Sequence, residues 1–256
     1  MRVAVVAILV ILGSVIQLEL PRFGLAVERF AVGETPVTLR TRPGGSGPLV
    51  VVAHGFAGSQ QMMEGYALTL ARAGYQVASF DFQGHGRNPE PMSGDVTALE
   101  GTTQLLVEEV GKVTAALEAR LAPEGVAYLG HSMATDVLVR AAEARGGVDA
   151  IVAISMYSEA VTAEGPKRLL IISGAGEPHL RRAAVAALRQ VDPGAGEGET
   201  VASNDVVRRA VVAPMVEHVG VLQSRTANRS TARPKRGNSN WMTDPRITRI
   251  ATTATR

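Results

Sequence analysis

Ser132 is the residue whose surroundings most clearly favour chemistry. It lies in VAYLGHSMATDVLVRAA, where an apolar run ends at a glycine and a helical pattern begins directly after the serine. A serine at such a strand-to-helix turn has a strained backbone, and the residues two before and two after it must be small. Gly130 and Ala134 meet that requirement. The sequence therefore predicts a serine hydroxyl lifted above a sheet, beside N–H groups of the following helix.

Two further side chains would turn this serine into a nucleophile. A serine hydroxyl needs a base to take its proton, and the base needs an acidic group to orient it. Glu177 in SGAGEP and His218 in MVEHVG follow Ser132 in that order. We expect Ser132 to be the nucleophile, His218 the base and Glu177 the acid. Glu159, after the sixth predicted strand, and Glu217, beside the histidine, are alternative acids.

Composition excludes several other kinds of site. The 256 residues include no cysteine, so the chain has no disulfide, no thiolate metal site and no cysteine nucleophile. Residues 224–256 hold eight of the 26 basic residues and one of the 24 acidic ones. This basic tail lacks apolar periodicity, and we expect it to be disordered rather than to bind nucleic acid.

The N-terminus is apolar enough to interact with a membrane. Arg2 precedes an uncharged stretch from Val3 to Ile16, which suits a signal-peptide core. Extended to Leu20, the stretch is a marginal membrane span. An export signal and an uncleaved anchor fit equally well, and a buried strand is a weaker third choice. The first two interpretations place residues 1–20 outside the fold. They imply an exported or membrane-anchored protein, and an uncleaved anchor would tether it to the membrane through residues 3–20.

Strands alternate with helices along the rest of the chain. This order predicts a mostly parallel, eight-stranded sheet with helices on both faces. In such sheets ligands bind at the carboxyl ends of the strands, where polar residues follow several of the apolar runs. The eight runs are VERFAV, VTLRT, PLVVVA, YQVASF, VAYLG, DAIVAIS, RLLIISG and AVVAPM.

Five motifs together resemble serine hydrolases of the α/β-hydrolase superfamily, in particular the lidless esterase and haloperoxidase-like group. They are VVVAHGFAGS, FDFQGHGRN, LGHSMA, LLIISGAGEP and VEHVG, and they span roughly residues 35–222. The resemblance implies an α/β-hydrolase fold for a catalytic domain at residues 25–223. Only about ten residues separate AISMYS from RLLIIS, so we expect no lid domain.

The resemblance also implies roles for particular residues. The backbone N–H groups of Phe56 and Met133 would form an oxyanion hole, and Ser132 would form an acyl-enzyme on a small ester. No metal and no organic cofactor is implied. The same residues would serve a thioesterase, a lactonase or a perhydrolase. A membrane-tethered binding module that keeps the fold without turnover is the alternative of a different class.

Overall fold

Seven strands form one sheet in the part of the chain that the structure describes. The structure is a computed structural model that describes residues 2–95, 99–156, 158 and 169–172. The sheet order is β1-β2-β4-β3-β5-β6-β7. The strands are β1 (Ala26–Val32), β2 (Thr35–Thr41), β3 (Leu49–Ala53), β4 (Gln76–Phe80), β5 (Val126–His131), β6 (Ala150–Ile154) and β7 (Leu169–Ile172).

Four α-helices accompany these strands within the described ranges. Two shorter helical segments are also present, one directly after the first helix and one directly before the third. The helices are α1 (Arg2–Glu19), α2 (Glu64–Arg72), α3 (Gln104–Leu121) and α4 (Met133–Arg145), and the shorter segments are Leu20–Arg22 and Leu99–Thr103.

The sheet is parallel from β4 to β7 and antiparallel only at one edge. β3 pairs in parallel with β4 and β5, and β6 pairs in parallel with β5 and β7. β1 and β2 form an antiparallel hairpin, and β2 joins the sheet antiparallel to β4. The predicted α/β architecture with a mostly parallel sheet is confirmed. The eighth predicted strand, at residues 210–215, lies outside the described residues.

The two faces of the sheet bury different helices. Along β3, Leu49, Val51 and Ala53 belong to one apolar cluster, which also contains the buried sides of α3 and α4. Val50 and Val52 belong to a second cluster, which contains residues of α2. Successive side chains of a strand point to opposite faces, so an unbroken apolar run is what a doubly covered strand requires. The prediction of helices on both faces is therefore confirmed.

The N-terminal helix α1 packs on nothing in the described structure. The segment Ala4–Arg22 has a mean hydropathy of 2.2 and none of it is buried, and its length and composition are sufficient to cross a membrane. The segment just after this helix contacts the rest of the fold. Arg22 donates through Nε and Nη2 to the two carboxylate oxygens of Glu64, at 3.2 and 2.9 Å. An ion pair this exposed contributes little to stability, but it places the end of the apolar segment beside α2.

Several predictions lie on residues outside the described ranges. Of the segment 155–168 between β6 and β7, only residues 155, 156 and 158 are described, so the absence of a lid stays a prediction. The predicted helix at 180–190 and the disordered tail at 224–256 also stay predictions.

Candidate active site

Ser132 occupies the junction of β5 and α4 in a strained conformation. Its backbone angles are φ 51° and ψ −119°, a region that residues other than glycine rarely adopt. Hydrogen bonds hold this conformation from both sides. The Ser132 N–H donates to the carbonyl of Ile154 at 2.9 Å, and the Ser132 carbonyl accepts from the N–H of Thr135 at 2.8 Å. The serine is therefore fixed between the neighbouring strand β6 and the first turn of the helix.

The hydroxyl of Ser132 is not used to cap the helix. Serine is a preferred residue before a helix because its oxygen can accept a hydrogen bond from the first-turn N–H groups. Here Ser132 directly precedes α4 and makes no such side-chain bond. Met133 is the first residue of α4, and its N–H is one of those that no carbonyl of the helix can satisfy. Within the described part of the chain, a hydroxyl that is not used as a helix cap thus adjoins a backbone N–H that the helix itself does not satisfy.

Gly130 allows the helix to start this close to the strand. A Cβ added at this position would lie 2.6 Å from Cδ1 of Leu138 and 3.2 Å from the backbone carbonyl of Ala134. Leu138 and Ala134 are both fully buried, so neither can move without opening the core. The requirement for a small residue two positions before the serine is therefore a packing requirement between β5 and α4.

The loop after β3 lies directly beside the serine. Ala53 pairs with Gly130 in the parallel register, which brings the segments that follow the two strands together. A Cβ added at Gly55 would lie 3.2 Å from Cβ of Ser132 and 2.9 Å from Nδ1 of His131. Phe56 is the next residue along this loop. The structure thus brings together Ser132 and the two segments that carry Phe56 and Met133.

Strained residues gather at this edge of the sheet. Four non-glycine residues in the described ranges have a positive φ, and one of them, Ala122, ends α3. The other three follow the neighbouring strands β3, β5 and β6: Ala57 at 54°, Ser132 at 51° and Ser155 at 50°. Strained backbone that is held by its surroundings is typical of functional sites.

His54 shapes the loop and is not placed to act as a base. It is fully buried, and its Nε2 accepts a hydrogen bond from the N–H of Phe82 at 3.2 Å. Its Nδ1 therefore carries the proton and donates to the carbonyl of Gly55, 2.8 Å away. Burial lowers the pKa of His54 below its ordinary value, which keeps the imidazole neutral. Both ring nitrogens are thus engaged, Nδ1 within the β3 loop and Nε2 in joining that loop to the β4 loop.

Asp81 makes a second connection between these two loops. Its buried carboxylate accepts hydrogen bonds from the N–H and the side-chain amide of Gln60, at 2.7 and 2.9 Å, and from the N–H of Arg87 at 3.1 Å. A Cβ at Gly86 would overlap this carboxylate. Asp81 is thus a structural acceptor for backbone and amide donors.

Glu109 anchors the β4 loop from α3. Its Oε1 accepts from the hydroxyl of Thr35 at 2.6 Å and from Nδ2 of Asn88 at 3.0 Å, and its Oε2 accepts from the N–H of Gln83 at 3.0 Å. Burial raises the pKa of this carboxyl, and the three hydrogen bonds oppose that effect. Glu109 is not among the residues predicted from the sequence. Its spacing from the buried Leu106 and Val113 places it on the core face of the helix and was the available signal.

Phe56 lies at the open side of the site. Its side chain is 68% exposed, and its ring packs edge-on against His85 with centroids 5.7 Å apart. His85 in turn lies 5.2 Å from the ring of His54, and His54 lies 5.3 Å from that of Phe82. This row of rings supports Phe56 from beneath while its outer surface stays open to a ligand.

The rest of the predicted triad is not in the described part of the chain. Ser132, Phe56 and Met133 are described, whereas Glu177, His218 and the alternative acids Glu159 and Glu217 are not. Within the described ranges, no group of three or more His, Cys, Asp or Glu side chains is arranged to hold a metal ion.

The fold and this strand-to-helix serine define an α/β hydrolase. The family described as serine aminopeptidase, S33, matches residues 46–190, more than half of the chain. The chain belongs to this family of the α/β-hydrolase superfamily. The superfamily membership that the five motifs indicated is confirmed.

Two curated relatives match part of this chain. Two uncharacterized proteins from two strains of Mycobacterium tuberculosis are each 33% identical over 97 residues, which cover 38% of this chain and 32% of each relative. The chain therefore spans about a third of the length of these curated relatives.

One solved structure shows the same fold, and a second has a partial similarity to this chain. TT1662 from Thermus thermophilus has a TM-score of 0.53 at 19% identity, covering 76% of this chain and 98% of that one. An epoxide hydrolase from an endophytic Streptomyces has a TM-score of 0.41 at 24% identity, covering 53% of this chain and 39% of that one.

The backbone strain at Ser132 gives a testable prediction. Ser132→Gly and Ser132→Ala both remove the hydroxyl, but only glycine adopts φ 51° and ψ −119° without a steric penalty. We expect Ser132→Gly to be the more stable of the two by about 1 kcal/mol, which raises Tm by about 2–4 °C for a chain of this size. Thermal melts of the two variants measure the difference.

The matched control is Ala134→Gly, two residues further on and inside α4. There glycine should lower the stability by about 1 kcal/mol, because the backbone is helical. If Ser132→Ala proves as stable as Ser132→Gly, the backbone at Ser132 is not strained in solution.

Proposed function

We propose that this chain is a serine hydrolase of carboxylic esters that acts through Ser132, His218 and Glu177. The observation that carries the proposal is the conformation of Ser132. Its hydroxyl caps no helix, and its backbone is held in a strained turn between the first N–H of α4 and the loop that bears Phe56. A serine held in this way, in a chain that also supplies a histidine and an acid in the order of this fold, suits nucleophilic attack.

The first half of the reaction forms an acyl-enzyme. Oγ of Ser132 attacks the ester carbonyl carbon while its proton passes to the imidazole of His218. The resulting tetrahedral intermediate collapses, the bond to the alcohol oxygen breaks, and the imidazolium returns the proton to the departing alcohol. The second half repeats these steps with water as the nucleophile. It releases the carboxylic acid and regenerates the serine.

Two backbone donors would stabilise the charge that develops on the carbonyl oxygen. The N–H of Met133 points from the start of α4, where the helix dipole also favours negative charge. The N–H of Phe56 lies in the loop whose Gly55 packs against Ser132. Losing one donor of this kind typically lowers the rate by about 10²–10³. The whole mechanism uses side chains and backbone groups, so the proposal requires no metal or organic cofactor.

Glu177 is the proposed acid because of its place in the chain. It follows the predicted strand RLLIISG, whose core is β7, and β7 lies at the end of the described sheet beside β6. Glu159 follows β6, which pairs directly with β5, and Glu217 adjoins the histidine in sequence. The order Ser, acid, His along the chain favours Glu177 over Glu217, and experiment must separate Glu177 from Glu159.

The proposed substrates are esters with short acyl chains. The short connection between β6 and β7 leaves no room for a lid to provide an extended apolar wall. The side chains of Phe56 and Met62 are 68% and 62% exposed on the loop beside the serine, which gives a small apolar rim. Thioesters, lactones and perhydrolysis would use the same machinery. A silent binding module would keep the fold and show no turnover.

The apolar helix α1 supports an exported or membrane-anchored protein. At 1.5 Å per residue its 18 residues extend about 27 Å, close to the hydrocarbon thickness of about 30 Å. A signal peptide and an uncleaved anchor both fit this length. We propose that the hydrolase domain lies on the periplasmic or extracellular face, and that α1 is either removed or remains as its tether.

A p-nitrophenyl ester series tests the proposed function. We expect acyl chains of about two to six carbons to be hydrolysed faster than longer ones, because an open site offers little apolar wall to a long chain. Acetate, butyrate and palmitate esters are compared by release of p-nitrophenol. Ser132→Ala is the control, and it should retain less than about a thousandth of the activity. A preference for palmitate over butyrate would contradict the open site, and no hydrolysis at all would favour the silent module.

Two glutamine substitutions identify the acid. Glu177→Gln should lower kcat sharply because it removes the charge that stabilises the imidazolium of His218. Glu159→Gln should leave kcat within about twofold of wild type, since the proposal gives Glu159 no contact with the base. Steady-state kinetics on a short ester, with thermal melts to verify folding, measure both. A large effect in Glu159→Gln alone would move the acid to the end of β6.

A further inference from the structure

We infer that Gln60 is a positioning residue for the oxyanion hole, because it fixes the loop that carries Phe56 onto the buried carboxylate of Asp81. This inference rests on the proposed function, since an oxyanion hole matters only if Ser132 is acylated. Neither the five sequence motifs nor the roles implied by the resemblance include Gln60.

Gln60 donates two hydrogen bonds to the Asp81 carboxylate. Its backbone N–H donates to Oδ1 at 2.7 Å, and its side-chain Nε2 donates to Oδ2 at 2.9 Å. Both residues are buried, with Asp81 fully inaccessible and Gln60 5% exposed. Hydrogen bonds to a buried charged group are stronger than neutral ones, and they are costly to lose. One residue thus fixes both the main chain and the side chain at the end of the loop.

Arg40 and Ser79 together determine the orientation of the Gln60 amide. Nη1 of Arg40 donates to Oγ of Ser79 at 2.8 Å, so the hydroxyl proton of Ser79 is left to point towards Oε1 of Gln60, 3.4 Å away. The oxygen end of the amide therefore faces Ser79, and the nitrogen end faces Asp81. The neutral side chains of Gln60 and Ser79 thus lie between the buried guanidinium of Arg40 and the buried carboxylate of Asp81.

The loop between the two fixed ends contains the residue that needs support. It begins at Gly55, which packs on Ser132, and it turns through a hydrogen bond from the N–H of Gly58 to the carbonyl of Gly55 at 3.0 Å. Ala57, directly after Phe56, has a positive φ of 54°. A strained alanine relaxes unless its neighbours prevent it. Gln60 holds the far end of this turn, so it sets the direction of the N–H of Phe56.

A displaced oxyanion donor has a recognisable kinetic effect. The donor interacts more strongly with the charged intermediate than with the neutral ester, so its misplacement lowers kcat and leaves KM nearly unchanged. A change that only weakened substrate binding would raise KM instead. The two kinetic parameters therefore separate positioning of the donor from general damage to the binding site.

Gln60→Glu tests the inference with little change in shape. It replaces the amide nitrogen by an oxygen that faces Asp81, while the other oxygen still accepts from Ser79. The charged and titratable groups near Gln60 are Asp81, to which it donates, and Arg40 behind Ser79, which pairs with Glu64 at 3.6 Å. His54 also lies near enough to Asp81 to interact with its charge. When protonated, the introduced carboxyl can donate to Asp81 as the amide does. When ionised, it repels Asp81, and Arg40 is already engaged with Ser79 and with Glu64.

The ratio of kcat in Gln60→Glu to kcat in wild type should therefore depend on pH. Taking the ratio at each pH cancels the titration of the catalytic base. We expect it to fall by about tenfold or more, a fraction of the loss of a whole donor, as pH rises through the pKa of the introduced carboxyl. KM should change by less than about twofold. Gln61→Glu, which places the same charge on the exposed neighbouring residue, should give a pH-independent ratio near one.

The possible outcomes separate this inference from the proposed function. A Gln60→Glu variant that melts as wild type does and keeps the wild-type kcat across the pH range overturns the inference alone, as does a rise in KM at constant kcat. If the variant unfolds at high pH, the decisive measurement is Gln60→Leu on a short ester, where an unchanged kcat also overturns it. A wild-type chain that hydrolyses no ester overturns the proposed function and this inference together.

Discussion

A serine at φ 51° and ψ −119° costs on the order of 1–3 kcal/mol relative to a relaxed backbone, and at Ser132 this strain is contained by the strand and helix on either side. The N–H of Ser132 is bound to Ile154 on β6, and its carbonyl is bound within the first turn of α4. These two hydrogen bonds engage the backbone of Ser132, whereas its hydroxyl makes no cap hydrogen bond to the helix. The nearby glycines follow from the same constraint, because Gly130 lets α4 approach β5 and Gly55 lets the β3 loop approach the serine.

The loops around the serine are stabilised by buried polar groups rather than by apolar packing alone. His54 and Asp81 each bind groups on the loops after β3 and β4, and Glu109 binds groups on the loop after β4. Each is buried, so each would be costly if its hydrogen bonds were lost. Loops without regular hydrogen bonding can hold a fixed shape at the edge of a sheet only when such groups satisfy their N–H donors.

The sequence allowed the prediction of most of the described fold because its signals are local. LVVVA is apolar at every position, as a strand covered on both faces must be, and the spacing of Leu106, Val110, Val113 and Leu117 matches the buried side of α3. Gly130, two positions before the serine, was also predictable, because the turn leaves space only for a small residue there. The hydrogen bonds from Gln60 to Asp81 were not predictable, because they join two loops that are separated in sequence. These loops are adjacent only through the pairing of β3 with β4. A glutamine in a polar loop has no local property that distinguishes it from its neighbour Gln61.

Labelling with an alkyl fluorophosphonate shows most directly whether the Ser132 hydroxyl is an activated nucleophile. The reagent phosphonylates a serine only when a base removes its proton and donors stabilise the new oxyanion. Intact wild-type protein, Ser132→Ala and His218→Ala are treated in parallel, and the modified peptide is located by mass spectrometry. We expect one adduct in the wild-type protein, on Ser132, and none in either variant. A folded wild-type protein that takes up no label, or one that carries it on another serine, would show that Ser132 is not the activated nucleophile.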